Sequence, residues 1–264
     1  MVHLPVRVAY TDVGAGPPLL LLHGIPTWSY LYADLIPLLA PHFRLIAPDF
    51  LGHGWSDRRD RFSRSLEVHA RLVLRLLDAL GLPRATLLGH DTGGGAALRL
   101  ALEAPGRVER LVLTNTVAYD SWPIGDMVRL ADPSWKAKPA AEVVRFLEAG
   151  LPEGLARPGR LTRAFREGIV APYADKEGKL SLIRNASALD TSHTMELVDR
   201  LGEVRAPTLL AWGEDDPQQP VTDAERLARD IPGARLVRVP RASHWLPQDA
   251  PEELAAAVQD FCGG

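Results

Sequence analysis

The sequence predicts an α/β protein: a mostly parallel central sheet with helices on both faces and an inserted helical cap. Three observations carry this. Short apolar runs of strand length alternate with segments of helical periodicity as far as Thr116. From about Ala118 to Val204 the alternation stops, and only helical stretches broken by Pro and Gly are visible. The strand-helix pattern then resumes and runs to the last residues. Residues 1–117 and 205–264 are therefore expected to form the two parts of one core, with residues 118–204 as the cap.

Each element has a local reason. Val6 to Tyr10 alternates and ends at Asp12-Val13-Gly14-Ala15-Gly16, a strand followed by a turn. Leu19-Leu20-Leu21-Leu22 is apolar throughout, as in a strand buried on both faces. A loop from His23 and a helix to about Ala40 precede the next strand, Arg44 to Pro48. Leu66, Val73, Leu76, Leu77 and Leu80 repeat at helical spacing, and Gly81 with Pro83 stops that helix. Ala85 to Leu88 and Arg110 to Thr114 are further strands, with a helix starting at Gly95 between them. In the cap, Glu142 to Leu147 and Leu161 to Glu167 are helical. The second part of the core supplies a strand from Ala206 to Trp212, a helix from Asp223 to Ile231 and a strand from Ala234 to Val239. A terminal helix from Pro251 to Phe261, with proline in its first turn, ends the chain.

Bulk properties narrow the function classes. A chain of 264 residues, 46% hydrophobic, can bury one substantial core plus a lid. The net charge of −3 gives no basic field for nucleic acid or anionic membrane. The single cysteine, Cys262, excludes an internal disulfide and is expected to be a partly buried small hydrophobe. Met1-Val2-His3-Leu4-Pro5 lacks the pattern of an export signal and no apolar run reaches membrane-spanning length, so a cytoplasmic protein is expected. A small-molecule substrate is the expected partner, to a monomer or homodimer, with neither metal nor cofactor.

The chemistry centres on Gly89-His90-Asp91-Thr92-Gly93-Gly94, set between a strand and a helix. Glycines two residues before and after a central residue let the two arms of a sharp turn pass each other, the geometry of a nucleophile elbow. The central residue is Asp91, where serine is usual. Asp216 follows the strand ending at Trp212, and His244 precedes the last helix; Glu214 and Asp215 compete with Asp216 as the acid. Nucleophile, acid, histidine is a chain order known from hydrolytic triads, and all three follow strand ends, where ligands bind in open α/β sheets. The His23-Gly24-Ile25-Pro26 loop can aim the Ile25 N–H beside the Thr92 N–H as a two-donor oxyanion hole.

Three stretches, His23 to Tyr32, Pro48 to Asp57 and Gly89 to Gly94, together resemble the haloalkane dehalogenase and epoxide hydrolase branch of the α/β-hydrolase fold. The resemblance covers the core and is weak across the cap. It implies Asp91 as nucleophile, Asp216 as acid, His244 as base, and the Ile25 and Thr92 amides as oxyanion donors. Some members carry the acid after the strand before the cap; Asn115 stands there, which favours Asp216. Haloalkane dehalogenases usually have Trp after the nucleophile and Asn or Glu after the His-Gly pair, where this chain has Thr92 and Ile25. Epoxide hydrolases usually supply two cap tyrosines, for which Tyr119 and Tyr173 are available.

A carboxylate nucleophile suits displacement at saturated carbon, because it forms an ordinary ester that water then hydrolyses. The leaving group needs an N–H donor if it is a halide, or an O–H if it is an epoxide oxygen. Trp122, Trp135, Tyr119, Tyr173 and His193 are the candidates in the cap, each alternatively a packing residue. Dehalogenation of a small organohalide leads and epoxide hydrolysis follows. An Asp-dependent esterase or lactonase comes third, and gains if neither indoles nor tyrosines reach Asp91. A small-molecule receptor is the non-enzymatic alternative.

Overall fold

The computed structural model describes residues 6–263. Met1 to Pro5, read above for an export signal, lie outside the described residues. Seven strands form one sheet: β1 Tyr10–Val13, β2 Pro18–Leu22, β3 Arg44–Pro48, β4 Ala85–Asp91, β5 Val108–Thr116, β6 Thr208–Gly213 and β7 Arg235–Val239. Their order is β1-β3-β2-β4-β5-β6-β7. β1 is antiparallel to β3, and the remaining neighbours pair parallel. This is the α/β-hydrolase type of sheet that the sequence predicts.

Several elements run a few residues beyond the expected bounds, β4 to Asp91, the helix after it from Thr92 and β5 over Val108–Thr116, and two others depart for a visible reason. The first strand starts at Tyr10, not Val6. The Arg7 and Ala9 carbonyls accept from the N–H groups of Asp57 and Asp49 at 2.8 and 2.9 Å, so this stretch pairs with a loop before it reaches the sheet. The expected helix to Ala40 is broken into a 3₁₀ turn, Ser29–Tyr32, and one turn of α-helix, α1 Ile36–Leu39, with Pro37 in its first turn.

On the core, α2 (Leu66–Ala79) and α3 (Thr92–Glu103) pack against each other and flank the middle strands, and α9 (Val221–Asp230) packs on β6 and β7. α10 (Leu246–Asp249) and α11 (Pro251–Gly263) end the described chain. Ser65 caps α2, its hydroxyl accepting from the Val68 N–H. Between β5 and β6 lie α4 (Gly125–Leu130), α5 (Ala140–Gly150), α6 (Arg163–Val170), α7 (Lys176–Ser187) and α8 (Ser192–Val198), with 3₁₀ turns and no strand among the described residues. Thr162 and Asp175 cap α6 and α7.

The pleat of β2 sends alternate leucines to opposite faces. Leu19 and Leu21 join an apolar cluster that continues into Leu130, Val143, Leu147 and Phe165 of the insertion. Leu20 and Leu22 join a second cluster with Leu87, Leu98, Leu113 and Leu227. Cys262 is half-buried against the first cluster. No helix of the described residues is long and apolar enough to cross a membrane.

Candidate active site

Asp91 ends β4 and precedes the first residue of α3 with φ 51° and ψ −126°, a backbone conformation rare outside glycine. Small neighbours make the turn possible. A Cβ on Gly89 would stand 2.5 Å from the Gly94 Cα and 2.7 Å from the Gly93 carbonyl oxygen. Asp91 is thereby held at the strand end, only 6% exposed beside a cavity.

His244 and Asp216 arrive from the loops after β7 and β6. His244 Nδ1–H donates to Asp216 Oδ2 at 2.9 Å, which fixes the tautomer and directs Nε2 to Asp91 Oδ2, 3.9 Å away. Asp216 also accepts from the Gln218 and Gln219 amides at 2.7 and 3.0 Å and from Asn115 Nδ2 at 2.8 Å. The competing acids Glu214 and Asp215 are exposed. The Ile25 N–H donates to Asp91 Oδ1 at 2.8 Å, and the Thr92 N–H bonds the same carboxylate.

Electrostatics divide these groups. Burial pushes the Asp91 carboxyl above its usual range, and the His244 charge and two amides offset this only in part. Burial also opposes ionisation of Asp216, yet the charge and hydrogen bond of His244, with the Gln219 amide and Asn115, hold it below the usual range. Burial would lower His244; the charge and hydrogen bond of Asp216, then the charge of Asp91, lift it above its ordinary value. The arrangement is a buried carboxylate facing a basic imidazole that a second buried acid orients.

A cavity of about 60 Å³ opens onto Asp91, lined by Ile25, Thr92, Trp122, Met127, Phe146, Leu147 and Trp245 among others. The family described as alpha/beta hydrolase fold matches residues 17–251.

The chain belongs to the α/β-hydrolase fold family.

This α/β-hydrolase is 36% identical over 267 residues to Haloalkane dehalogenase 2 of Mycobacterium tuberculosis (strain CDC 1551 / Oshkosh), across 97% of this chain and 92% of that one. An α/β-hydrolase fold protein from Burkholderia ambifaria superposes with a TM-score of 0.90 at 31% identity, covering 97% of this chain and 94% of its own. An ancestral haloalkane dehalogenase matches with a TM-score of 0.83 at 25% identity, covering 100% and 99%. The protein is accordingly a hydrolase of the dehalogenase and epoxide hydrolase branch, which sets aside the receptor alternative.

The expected substrate contacts of the hydrolase are mostly elsewhere. Trp122 lines the cavity, but its indole N–H is engaged by the Thr194 hydroxyl at 2.8 Å and the Tyr119 carbonyl at 3.1 Å. Trp135 does not line it; its N–H donates to the Arg129 carbonyl at 2.8 Å and its ring packs against Phe146. Tyr119 turns away to donate to Asp230 Oδ2 at 2.7 Å. Tyr173 is buried and donates to the Pro26 carbonyl at 2.8 Å, behind the His23 to Pro26 loop. His193 borders a smaller adjoining chamber. The polar ends of Trp122, Trp135, Tyr119 and Tyr173 have each found a nearby partner, as burial favours.

Other contributors escape a reading of the sequence. Asn115, noted only as a missing acid, bonds Asp216 and accepts from the Gly213 N–H at 3.0 Å. His90 donates from Nε2 to the His244 carbonyl at 2.9 Å. Buried Asp249 accepts from Ser243 and Ala156 at 2.8 Å and from Arg157 at 2.9 Å, tying the His244 loop to the insertion. Met127 and Leu147 line the cavity, and nothing local in the sequence says that they do.

Proposed function

We propose that this α/β-hydrolase is a haloalkane dehalogenase-like enzyme that hydrolyses small organohalides through an ester on Asp91. The observation that carries the reading is a carboxylate at the elbow, 3.9 Å from Nε2 of an Asp216-oriented His244. Residues 118–204 act as the cap over a cavity that suits a small, mostly apolar molecule. An Asp91 oxygen attacks the halogen-bearing carbon; the C–O bond forms as the carbon–halogen bond breaks, and the halide leaves with the electron pair. Water then attacks the Asp91 ester carbonyl while His244 takes its proton, and the Ile25 and Thr92 amides receive the oxyanion. Collapse breaks the carbonyl–oxygen bond, releases the alcohol and restores the carboxylate. Organohalide and water become alcohol, halide and a proton.

The same electrostatics time the two steps. The charge of Asp91 helps to raise His244, and forming the ester removes that charge. His244 therefore sheds its proton more readily when a base is needed.

A second reading is ester or lactone hydrolysis, with His244 activating water directly. The engagement of the Trp122 N–H by Thr194 and Tyr119 favours it, since that donor is not free for a leaving halide. Epoxide opening loses support because the Tyr119 and Tyr173 hydroxyls are committed to Asp230 and Pro26. One experiment separates the mechanisms: a single turnover in oxygen-18 water across organohalides, epoxides and esters, with halide, diol and acid products measured. The dehalogenase reading requires free halide, unlabelled oxygen in the first alcohol and heavy oxygen in Asp91. Heavy oxygen in the product with none in Asp91 selects the general-base reading.

A further inference from the structure

Next to the main cavity lies a second chamber of about 10 Å³, bordered on the shared side by Ile25, Thr92, Trp122 and Leu189. Its other wall is polar and includes His53, Arg64, His69 and Asn185. Arg64 is only 8% exposed. Its Nη1 donates to the Ser181 carbonyl and hydroxyl, both at 2.8 Å, and to Asn185 Oδ1; its Nη2 donates to the Arg58 carbonyl at 3.1 Å. All four acceptors are neutral. The carboxylates that act on Arg64 through space, Asp57 and Asp60, are paired with Arg59 and Arg184.

A buried guanidinium without a counter-ion is costly, and an anion beside it lowers that cost. Burial, then Arg184, brings Arg64 down to about 10, so it remains a cation at neutral pH. Arg64 Nε and His53 Nε2 are buried and have no hydrogen-bond partner. Neither His69 nitrogen makes a well-formed hydrogen bond; the Leu51 carbonyl lies near enough only to bias the ring's charge. The Arg64 Nε–H, an N–H of the neutral His69 and a fixed positive charge thus meet in one small space that touches the Asp91 amide partners; His53, whose Nδ1–H donates to the Leu51 carbonyl at 3.3 Å, adds wall but no free donor.

We propose that this chamber is a subsite for a small monovalent anion, the halide displaced at Asp91. Its volume of about 10 Å³ holds one atom-sized guest, which suits a monatomic ion better than a carboxylate. Arg64 and His69 offer the cation and N–H donors missing from the customary positions, held here by Thr92 and Ile25. Naming the anion as product rests on the dehalogenase reading; halide binding in the chamber does not.

Crystals soaked in sodium bromide should give an anomalous peak bounded by Arg64, His53 and His69. Chloride and iodide titrations should change the tryptophan fluorescence saturably, because Trp122 borders the chamber. Arg64→Met should weaken halide binding by about tenfold or more, the scale of a lost charge-assisted hydrogen bond. If that variant does not fold, the bromide position in the wild type decides alone. Bromide found only beside Asp91 or on the surface overturns the subsite, as does unchanged affinity in a folded Arg64→Met. Displacement of bromide by formate at equal concentration overturns the monatomic assignment in favour of a carboxylate. Bromide in the chamber without halide release from any organohalide upholds the subsite and removes the dehalogenase reading. Halide release with an empty chamber does the reverse.

Discussion

Asp91 holds a conformation that costs about 1–3 kcal/mol, and its surroundings spend that strain on pointing one carboxylate at His244. If His244 acts only on the ester, His244→Gln should alkylate normally and stall. Intact-protein mass spectrometry with a reactive organohalide should then show the alkyl adduct, and Asp91→Ala should show none. The coupling between the two residues has a definite sign. Since the Asp91 charge raises His244, Asp91→Asn should move the His244 ring titration to lower pH in NMR, and an unmoved titration would contradict it. Trp122→Phe removes an N–H that serves Thr194 and the Tyr119 carbonyl. Its expected effect is a loss of about 1–3 kcal/mol in stability, read by urea unfolding, with kcat for halide release changed by less than about threefold.

At this scale, Asp91, Asp216 and His244 are legible because each sits in a short local pattern and their chain order is informative. The orientation of Tyr119, Tyr173 and Trp135 is not, because periodicity marks a residue as apolar without saying which neighbour its polar end will meet. Arg64 is the clearest case. Sequence around Asp57-Arg58-Arg59-Asp60-Arg61 reads as a solvated charged loop, yet three residues further on an arginine is buried under α7.

Among elements, loops carry the chemistry and strands set their spacing. β5 and β6 are neighbours in the sheet, with Leu113 opposite Leu210 and Thr114 opposite Ala211, so Asn115 reaches the loop after β6 and bonds Asp216. Strand spans were readable from apolar runs; this adjacency was not, because pairing between β5 and β6 crosses the whole insertion. The His244 loop depends on Asp249, which gathers three amides from two separate segments. Asp249→Ala should leave those donors unpaired and lower stability by at least about 2 kcal/mol. Activity at low temperature should fall with it, chiefly in the ester-hydrolysis step, as measured by burst kinetics. A burst and a steady rate that drop together would mean that Asp249 also supports alkylation.

Across the whole molecule, two apolar clusters sandwich the sheet and both reach the insertion, the first through Leu147, Phe165 and Ile169 and the second through Tyr119, Leu197 and Leu201. Strand-helix alternation and its interruption made the layered architecture readable. The continuity of the first cluster was not, because it joins residues as distant in sequence as Leu19 and Phe165. Leu21 and Leu45 from the sheet and Leu147 and Ile169 from the insertion share that cluster. Differential scanning calorimetry should therefore give a single endotherm, with van't Hoff and calorimetric enthalpies in agreement. Two resolved transitions would show that the insertion melts by itself. An insertion joined to the core in this way cannot move as a rigid body without exposing much of that apolar surface to water. Traffic to Asp91 must pass instead by swings of side chains such as Met127, Phe146 and Trp245. Rotamer hops are far faster than domain motions, so turnover would be paced by bond-making and bond-breaking, and raising solvent viscosity should barely slow it.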